Sequence, residues 1–375
     1  MIDSLDVSYG DMWGSYEGPA HPAPMPSALA ARRHAAGMSY AVLLSSRERP
    51  LAMVERWPRG RWRLYLFDDA SRRVRMIDFE PLGTDKLLEV RNTRLKASDE
   101  QGDEAGAEPG EGRSPARVPH CPAPAFGDWQ VFVPFLAQQG HEPAATVVLN
   151  DVSVEEGAGP LRPTGIERLL APGPRDTPDG PAVVELADAG MLRITSGQLA
   201  VTDPGFLSDP RIVAVPPGEY PVTLSLLRTA RSVEVAAARV TFLDTPPHAW
   251  KMTLRSDEDP GLLGEGEFYG VGVDSGTVAF MDATRAVDDE MLDDEVLDEQ
   301  VFAPLSFVAR SSVELPGSEG GPNLVAFSAG RGDGSYPVWT GRTEDGQAVC
   351  VVVDFRLHPT DQEMETSGGA GPSPA

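Results

Sequence analysis

The sequence predicts a mainly β protein, with a small α+β part at the N-terminus and an antiparallel β-sandwich or partly closed barrel at the C-terminus. Three observations lead there. Apolar and polar residues alternate in several short runs, as where Val222, Leu224 and Leu226 are separated by Thr223 and Ser225, the period of a half-buried strand. Turns built from Asp, Gly, Pro and Ser recur between such runs, at 203–207, 215–222, 272–277 and 330–338. Helical signals are few, and only one segment near the N-terminus carries both a start and a stop.

That helix is expected after Pro26, with Ser27 as its N-cap, an alanine-rich body and Gly37 as its stop. Strand-like runs follow at 40–46, 50–57, 61–67 and 72–79, the last two joined by a hairpin turn at 68–71. On the third, Trp62, Leu64 and Leu66 share one face, with Arg61 and Arg63 on the other. Residues 97–125 hold almost no large apolar side chains and cannot offset the entropy of ordering, so they predict a disordered insertion. The apolar pattern resumes at 129–136, interrupted by Pro134, which suggests an edge strand of the N-terminal sheet. The expected division is an N-terminal domain over 1–96 and 126–150, a linker over 151–180, a β-rich domain over 181–359 and a disordered tail over 360–375.

In the C-terminal part, Pro217-Gly218 predicts a type II turn and Glu344-Asp345-Gly346 a hairpin. The AVCVVV run at 348–353 has no alternation, which predicts a central strand covered on both faces. Residues 288–299 hold eight acids: Asp288, Asp289, Glu290, Asp293, Asp294, Glu295, Asp298 and Glu299. Their apolar doublets recur every five residues and would rotate around an α-helix, so a short or irregular charged element is expected. No internal repeat is evident.

A chain of 375 residues can bury real cores without disulfides or metal. Cys121 and Cys350 have no metal-binding spacing, so no cofactor is expected and a reducing compartment fits. The first residues carry no early positive charge, and no apolar run reaches the length of a membrane span. A cytoplasmic location without membrane association is expected. Lysine is confined to positions 86, 96 and 251, and Ala, Gly and Pro are abundant, as in a GC-rich bacterial genome. The net charge is −25, yet residues 1–95 hold 14 basic and 12 acidic groups, so the excess lies beyond them. This distribution disfavours nucleic acid as a partner of the C-terminal part and leaves a basic protein partner open.

With those residues in view, the segment from about 192 to 355 resembles an uncharacterised bacterial family, domain of unknown function 4241. The resemblance rests on Asp203-Pro204, the run 217–222 (PGEYPV), Trp250, the run 272–276 (GVDSG), the run 332–338 (GDGSYPV) and Asp354-Phe355. It implies a bacterial β-rich module and no catalytic role, and leaves the N-terminal part unassigned.

Two constellations invite chemistry. Ser275 within VDSGT resembles a protease nucleophile loop, but a triad needs a histidine base and an orienting carboxylate, and the histidine just upstream, His248, lies in an unrelated loop. A turn role for Asp274, Ser275 and Gly276 is the simpler reading. The sharper set is Asp203, Asp274, Asp333 and Asp354, which together could bind a divalent cation or act as an acid/base pair. Asp beside Pro, Gly or Ser normally builds turns, which again favours a structural role. Asp354 differs, because it ends an apolar strand and would need partners, with Tyr220, Tyr336 and Arg331 in view. The Arg-Gly-Asp tripeptide at 331–333 reads as a flexible loop. Nine arginines with Trp57, Trp62 and Tyr65 at 47–75 could contact single-stranded nucleic acid, but read more simply as a half-solvated sheet. The expected function is a non-catalytic module whose acidic surface, including 288–299, engages a basic protein as an immunity protein would. The alternative is an Asp-centred hydrolase or divalent-cation-binding protein.

Overall fold

The computed structural model describes residues 1–11, 23–95, 120–157, 159–177, 180–286, 294–306, 311–317 and 321–357. The chain is mainly β and forms two units, Met1–Gly159 and Pro160–Ala375. No described helix is long and apolar enough to cross a membrane.

The first unit strings together β1 (Ile2–Gly10), β2 (Pro24–Met25), the helix Ser27–Ala36, β3 (Tyr40–Ser46), β4 (Arg49–Arg56) and β5 (Trp62–Phe67). It continues through β6 (Arg73–Leu82), β7 (Lys86–Arg94), β8 (His120–Pro122), a helical stretch at 129–139 and β9 (Pro143–Asp151). One sheet runs β2-β1-β3-β4-β5-β6-β7-β8, with β9 added parallel to β1. Trp62, Leu64 and Leu66 do share a face, and pack with Leu29, Trp129 and Phe132 from the two helical segments. The helix stops at Gly37 (φ 77), but its N-cap is Pro26, and Ser27 is its first helical residue with no side-chain cap. The 129–136 stretch is helical and not an edge strand. Trp129, Phe132, Val133 and Leu136 are all buried at helical spacing, and Pro134 sits in a first turn, where no N–H is required. Ordered structure resumes before 126, since β8 pairs with β7; residues 96–119 lie outside the described residues. Much of the arginine cluster is bonded internally. Arg63 pairs with Asp78 (2.6 Å), Arg72 with Asp68 (2.8 Å) and Arg49 with Asp69 (2.6 Å), while Arg56 and Arg73 stack on Trp62 and Tyr65.

The second unit contains β10 (Gly173–Thr177), β11 (Gly180–Ile194), β12 (Gln198–Asp203), β13 (Phe206–Ala214), β14 (Gly218–Arg228), β15 (Val233–Thr241) and β16 (Ala249–Met252). Then come β17 (Gly270–Val273), β18 (Thr277–Asp282), β19 (Ser312–Leu315), β20 (Leu324–Ser328), β21 (Gly334–Arg342) and β22 (Ala348–Asp354). An eight-stranded sheet, β10-β11-β14-β15-β22-β21-β16 with β17 also on β21, faces a five-stranded sheet, β13-β12-β18-β20-β19. All pairings in both sheets are antiparallel, and the apolar core between them includes Leu192, Val201, Leu224, Phe280, Val338 and Val353. The expected linker belongs to this unit from Pro160 onward. β10 pairs with β11, and Leu161, Ile166 and Leu169 cover the outer face of the larger sheet over Trp339 and Val352. β22 lies between β15 and β21 with every residue buried, as its apolar run predicted. The hairpin at 344–346 closes with Gly346 at φ 87. Gly218, by contrast, is not in the left-handed region that a type II turn requires. It is the first residue of β14, and a side chain there would meet the Tyr220 hydroxyl at 2.8 Å.

The unit is internally duplicated, which corrects the expectation of no repeat. Thr-Ser-Gly at 195–197 and Asp-Ser-Gly at 274–276 each lead into a strand that ends in aspartate, Asp203 and Asp282. The run GEYPV at 218–222 returns as GSYPV at 334–338, and VTF at 240–242 as VDF at 353–355. Pairing follows the same pattern: Leu192 opposes Tyr220 as Val271 opposes Tyr336, and Val222 opposes Val240 as Val338 opposes Val353. Tyr220 meets Phe242 edge-on at 4.9 Å and donates to the carbonyl of Pro216; Tyr336 meets Phe355 at 4.9 Å and donates to that of Gly332. The halves meet where β12 pairs with β18 and β15 with β22, Val201 opposite Phe280 and Arg239 opposite Val352. These registers place a pseudo-two-fold axis through both sheets. The repeat is concealed because residues 283–323 are inserted between β18 and β20, where the first half needs only a short turn between β12 and β13.

Candidate functional site

The carboxylates at the strand ends form two equivalent clamps. Asp203 is fully buried at the end of β12. Its Oδ2 accepts the main-chain N–H groups of Asp274 and Ser275, both at 2.8 Å; its Oδ1 accepts the N–H of Gly205 at 2.8 Å and the Ser275 hydroxyl at 2.6 Å. Asp282, fully buried at the end of β18, repeats this toward the other half. Its Oδ2 accepts the N–H groups of Thr195 (2.6 Å) and Ser196 (2.8 Å) and the Thr195 hydroxyl (3.1 Å), and its Oδ1 accepts the N–H and hydroxyl of Thr284 (2.9 and 2.7 Å). Burial alone would raise the pKa of Asp282, but the hydrogen bonds from Ser196 and Thr284 outweigh it and hold the carboxyl well below the usual range. Each half therefore supplies the carboxylate that fixes the other half's turn.

Of the residues singled out in the sequence, Asp203, Asp274, Ser275, Asp333 and Tyr336 come together at one end of the sandwich. Asp274 contributes its N–H to the clamp while its side chain is exposed. The exposed Asp333 is a neighbour, with Oδ1 4.0 Å from the position a Cβ on Gly276 would take. Gly276 has φ 66, as the turn reading requires. Tyr336 is buried beneath the loop at 330–333, and its rise in pKa comes first from burial and then from Asp333. Arg331 is exposed, with Nε 3.9 Å from Glu234. Tyr220 belongs to the other clamp, as the counterpart of Tyr336. Asp354 is apart as well: it opposes Ala237 in the layer of Trp339 and Val352, outside the larger sheet, and accepts the N–H of Arg356 at 2.8 Å.

This arrangement has chemical consequences. The Ser275 hydroxyl donates to a carboxylate whose two oxygens already accept three N–H groups, so Asp203 is committed to the turn. Among the described residues, no group of three or more His, Cys, Asp or Glu side chains is placed to hold a metal ion. Positions 288–290 and 293 of the acidic run lie outside the described residues. From Asp294 the chain is helical through 306, with π-type turns at Asp298–Phe302. The wider π turn reconciles the five-residue spacing with one buried side: Leu297 and Val301 are buried, with Val296 and Phe302 partly so, while Glu295, Asp298 and Glu299 are exposed.

Sequence reasoning missed Asp282, Thr195, Ser196 and Thr284. The signal was present as a repeated Ser-Gly-x-x-Ala-x-x-Asp, at 196–203 and again at 275–282. It also missed Arg211, buried with its guanidinium on Glu258 and on the carbonyl of Gly270, 3.0 Å from its Nε.

Fold and clamps thus define a two-fold β-sandwich made from a duplicated motif. Residues 192–353, which span both halves from β11 to β22, match the family described as "Protein of unknown function (DUF4241)", in agreement with the resemblance drawn from the motifs. No curated protein and no solved structure matches the chain.

Proposed function

We propose that the protein is a non-catalytic interaction module of the bacterial cytosol whose acidic C-terminal unit engages a basic protein, in the manner of an immunity protein that neutralises a basic toxin. Charge carries the reading. Residues 1–159 hold 17 basic and 23 acidic groups, whereas 160–375 hold 15 and 34, a net charge of −6 against −19. Exposed acids on the 294–306 helix give that excess a surface, and a field of one sign speeds encounter with an oppositely charged protein. The test is retention from native lysate on the immobilised chain, beside a variant with Asp293→Asn, Asp294→Asn and Glu295→Gln. A basic protein held by wild type and released by salt supports the reading. Equal retention by the neutralised variant counts against it.

The second reading, a cation-dependent hydrolase, rests on the neighbouring turns that carry Asp274 and Asp333. It has less support, because Asp203 is committed to main-chain N–H groups and Asp354 lies on another face. Calorimetric titration with Mg²⁺, Ca²⁺ and Mn²⁺ tests it: saturable heat abolished by Asp333→Asn would favour it.

A further inference from the structure

The pseudo-two-fold relation supplies a template for one empty position. In the second half, β19 lies along the outer edge of β20, Ser312 opposite Phe327, Val313 opposite Ala326 and Leu315 opposite Leu324. The counterpart of β20 in the first half is β13, where Ile212, Val213 and Ala214 take the places of Ala326, Phe327 and Ser328, and Val215 just beyond it that of Ala329. Among the described residues no strand pairs with the outer edge of β13. Burial follows this difference: Ala326 is fully buried and Ser328 half-buried, whereas Ile212 is 38% exposed and Ala214 is exposed.

The main chain there is available. Val215 donates its N–H to Gly197, on the side of β12, so by strand alternation Val213 faces the same way and the N–H groups of Ile212 and Ala214 point outward. Exposed edges are usually blunted by charge, proline or irregularity. In this unit β10 carries Pro174, Arg175 and Asp176, β16 carries Lys251, and β19 carries Glu314. In β13, Pro210 and Arg211 take the places of Leu324 and Val325, and the pairing irregularity with β12 lies before them, but Ile212-Val213-Ala214-Val215 carries neither charge nor proline.

We infer that the outer edge of β13 is a docking site for an extended segment of a basic protein, added antiparallel as β19 is added to β20. Resting on the proposed acidic-surface reading, this supplies its mode of recognition. The β19 template sets the pattern: Val313 and Leu315 are turned inward, and Ser312 and Glu314 outward. Ile212 opposes Ala200, on the sheet face that the 294–306 helix covers, so the added strand's apolar residues would lie beside a helix bearing Glu295, Asp298 and Glu299. Alternating apolar and basic residues meet both demands, main-chain bonds supplying affinity and alternate side chains selectivity.

The test titrates a synthetic Lys-Ser-Val-Lys-Leu-Lys peptide, β19's pattern with its glutamate replaced by lysine, into the full chain, followed by amide NMR. The expected result is a shift of the Ile212 and Ala214 amide signals, with affinity falling as salt rises. Ala214→Pro removes an outward N–H while leaving the β12 ladder intact, and Ile212→Lys adds a repelling charge. Each should weaken binding about tenfold, as expected for the loss of one or two main-chain hydrogen bonds or their equivalent, without changing Tm. No binding, or binding that leaves these amides and both variants unaffected, overturns strand addition. If a lysate-derived basic protein is still held in a salt-dependent way by Ala214→Pro, the acidic-surface reading survives and this mode of docking does not.

Discussion

Replacing Asp203 with asparagine keeps the shape of the side chain but removes its charge and turns one acceptor oxygen into a donor. In the wild type, Oδ2 takes the N–H groups of Asp274 and Ser275, and Oδ1 those of Gly205 and the Ser275 hydroxyl. Whichever way the amide is turned, its NH₂ faces at least one main-chain N–H in a fully buried site. Hydrogen bonds to a charged group contribute about 1.5–3 kcal/mol each, and a stranded buried donor costs about 1–3 kcal/mol. Allowing for relaxation and a hydroxyl that can rotate, Asp203→Asn should destabilise the C-terminal unit by about 3–5 kcal/mol, a large share of the 5–15 kcal/mol typical of a domain. Asp282→Asn should cost a similar amount, because its site is the symmetry counterpart. The control is Asp274→Asn, whose side chain is exposed, with an expected change within about 0.5 kcal/mol. Urea unfolding followed by fluorescence measures all three. If Asp203→Asn loses less than about 1 kcal/mol, or no more than the control, the clamp interpretation is wrong.

Other consequences are as accessible. Ser275→Ala removes the hydroxyl that Asp203 accepts at 2.6 Å and should cost about 1.5–3 kcal/mol, while Gly276→Val forces a β-branched residue to φ 66 and should cost at least about 1–3 kcal/mol; thermal unfolding ranks them. The folded pKa of Asp282 is depressed, so its contribution is fully present above the unfolded carboxylate value of about 4 and is lost as pH falls through the lower folded value. The gap in unfolding free energy between wild type and Asp282→Asn should therefore be constant from pH 7 to about 5 and narrow below about pH 4. Arg211→Ala removes one of the two guanidinium groups on the buried Glu258 side chain, leaving Arg255 at 3.5 Å, and should cost about 1.5–3 kcal/mol by urea unfolding, more than the loss from the exposed pair Arg228 and Glu185. Burial pushes both thiols up to about 11, aided at Cys121 by Glu89, so iodoacetamide should label folded protein slowly at pH 8 and unfolded protein quickly.

Much of the fold is legible locally. The AVCVVV run, the Gly37 stop and the hairpin at 344–346 each carry their instruction in adjacent residues, and the structure follows them. The 129–136 segment misleads because Pro134 reads as an interruption in a strand and as a comfortable first-turn residue in a helix. The π turn at 298–302 is hidden because a five-residue period matches no regular element. Of the site, the turn chemistry of Asp274, Ser275 and Gly276 is readable, but the partner of that turn is Asp203, 71 residues before Asp274. Asp354 shows the converse: nothing in its neighbours tells which face of β22 it occupies, since that depends on pairing with Ala237. The duplication was available in the paired Ser-Gly-x-x-Ala-x-x-Asp runs, but the 283–323 insertion and the division of β11's counterpart between β16 and β17 break its period.

The most direct test of the functional account is the association rate with the basic protein recovered on the immobilised chain, measured by stopped-flow against ionic strength for wild type and for Glu295→Gln, Asp298→Asn, Glu299→Gln. Long-range steering is screened over about 8 Å at physiological salt. The account predicts a steep fall in the wild-type rate with added salt, and for the triple variant a slower rate with a shallower salt dependence at unchanged Tm. Equal rates and equal salt dependence for the two proteins would contradict it.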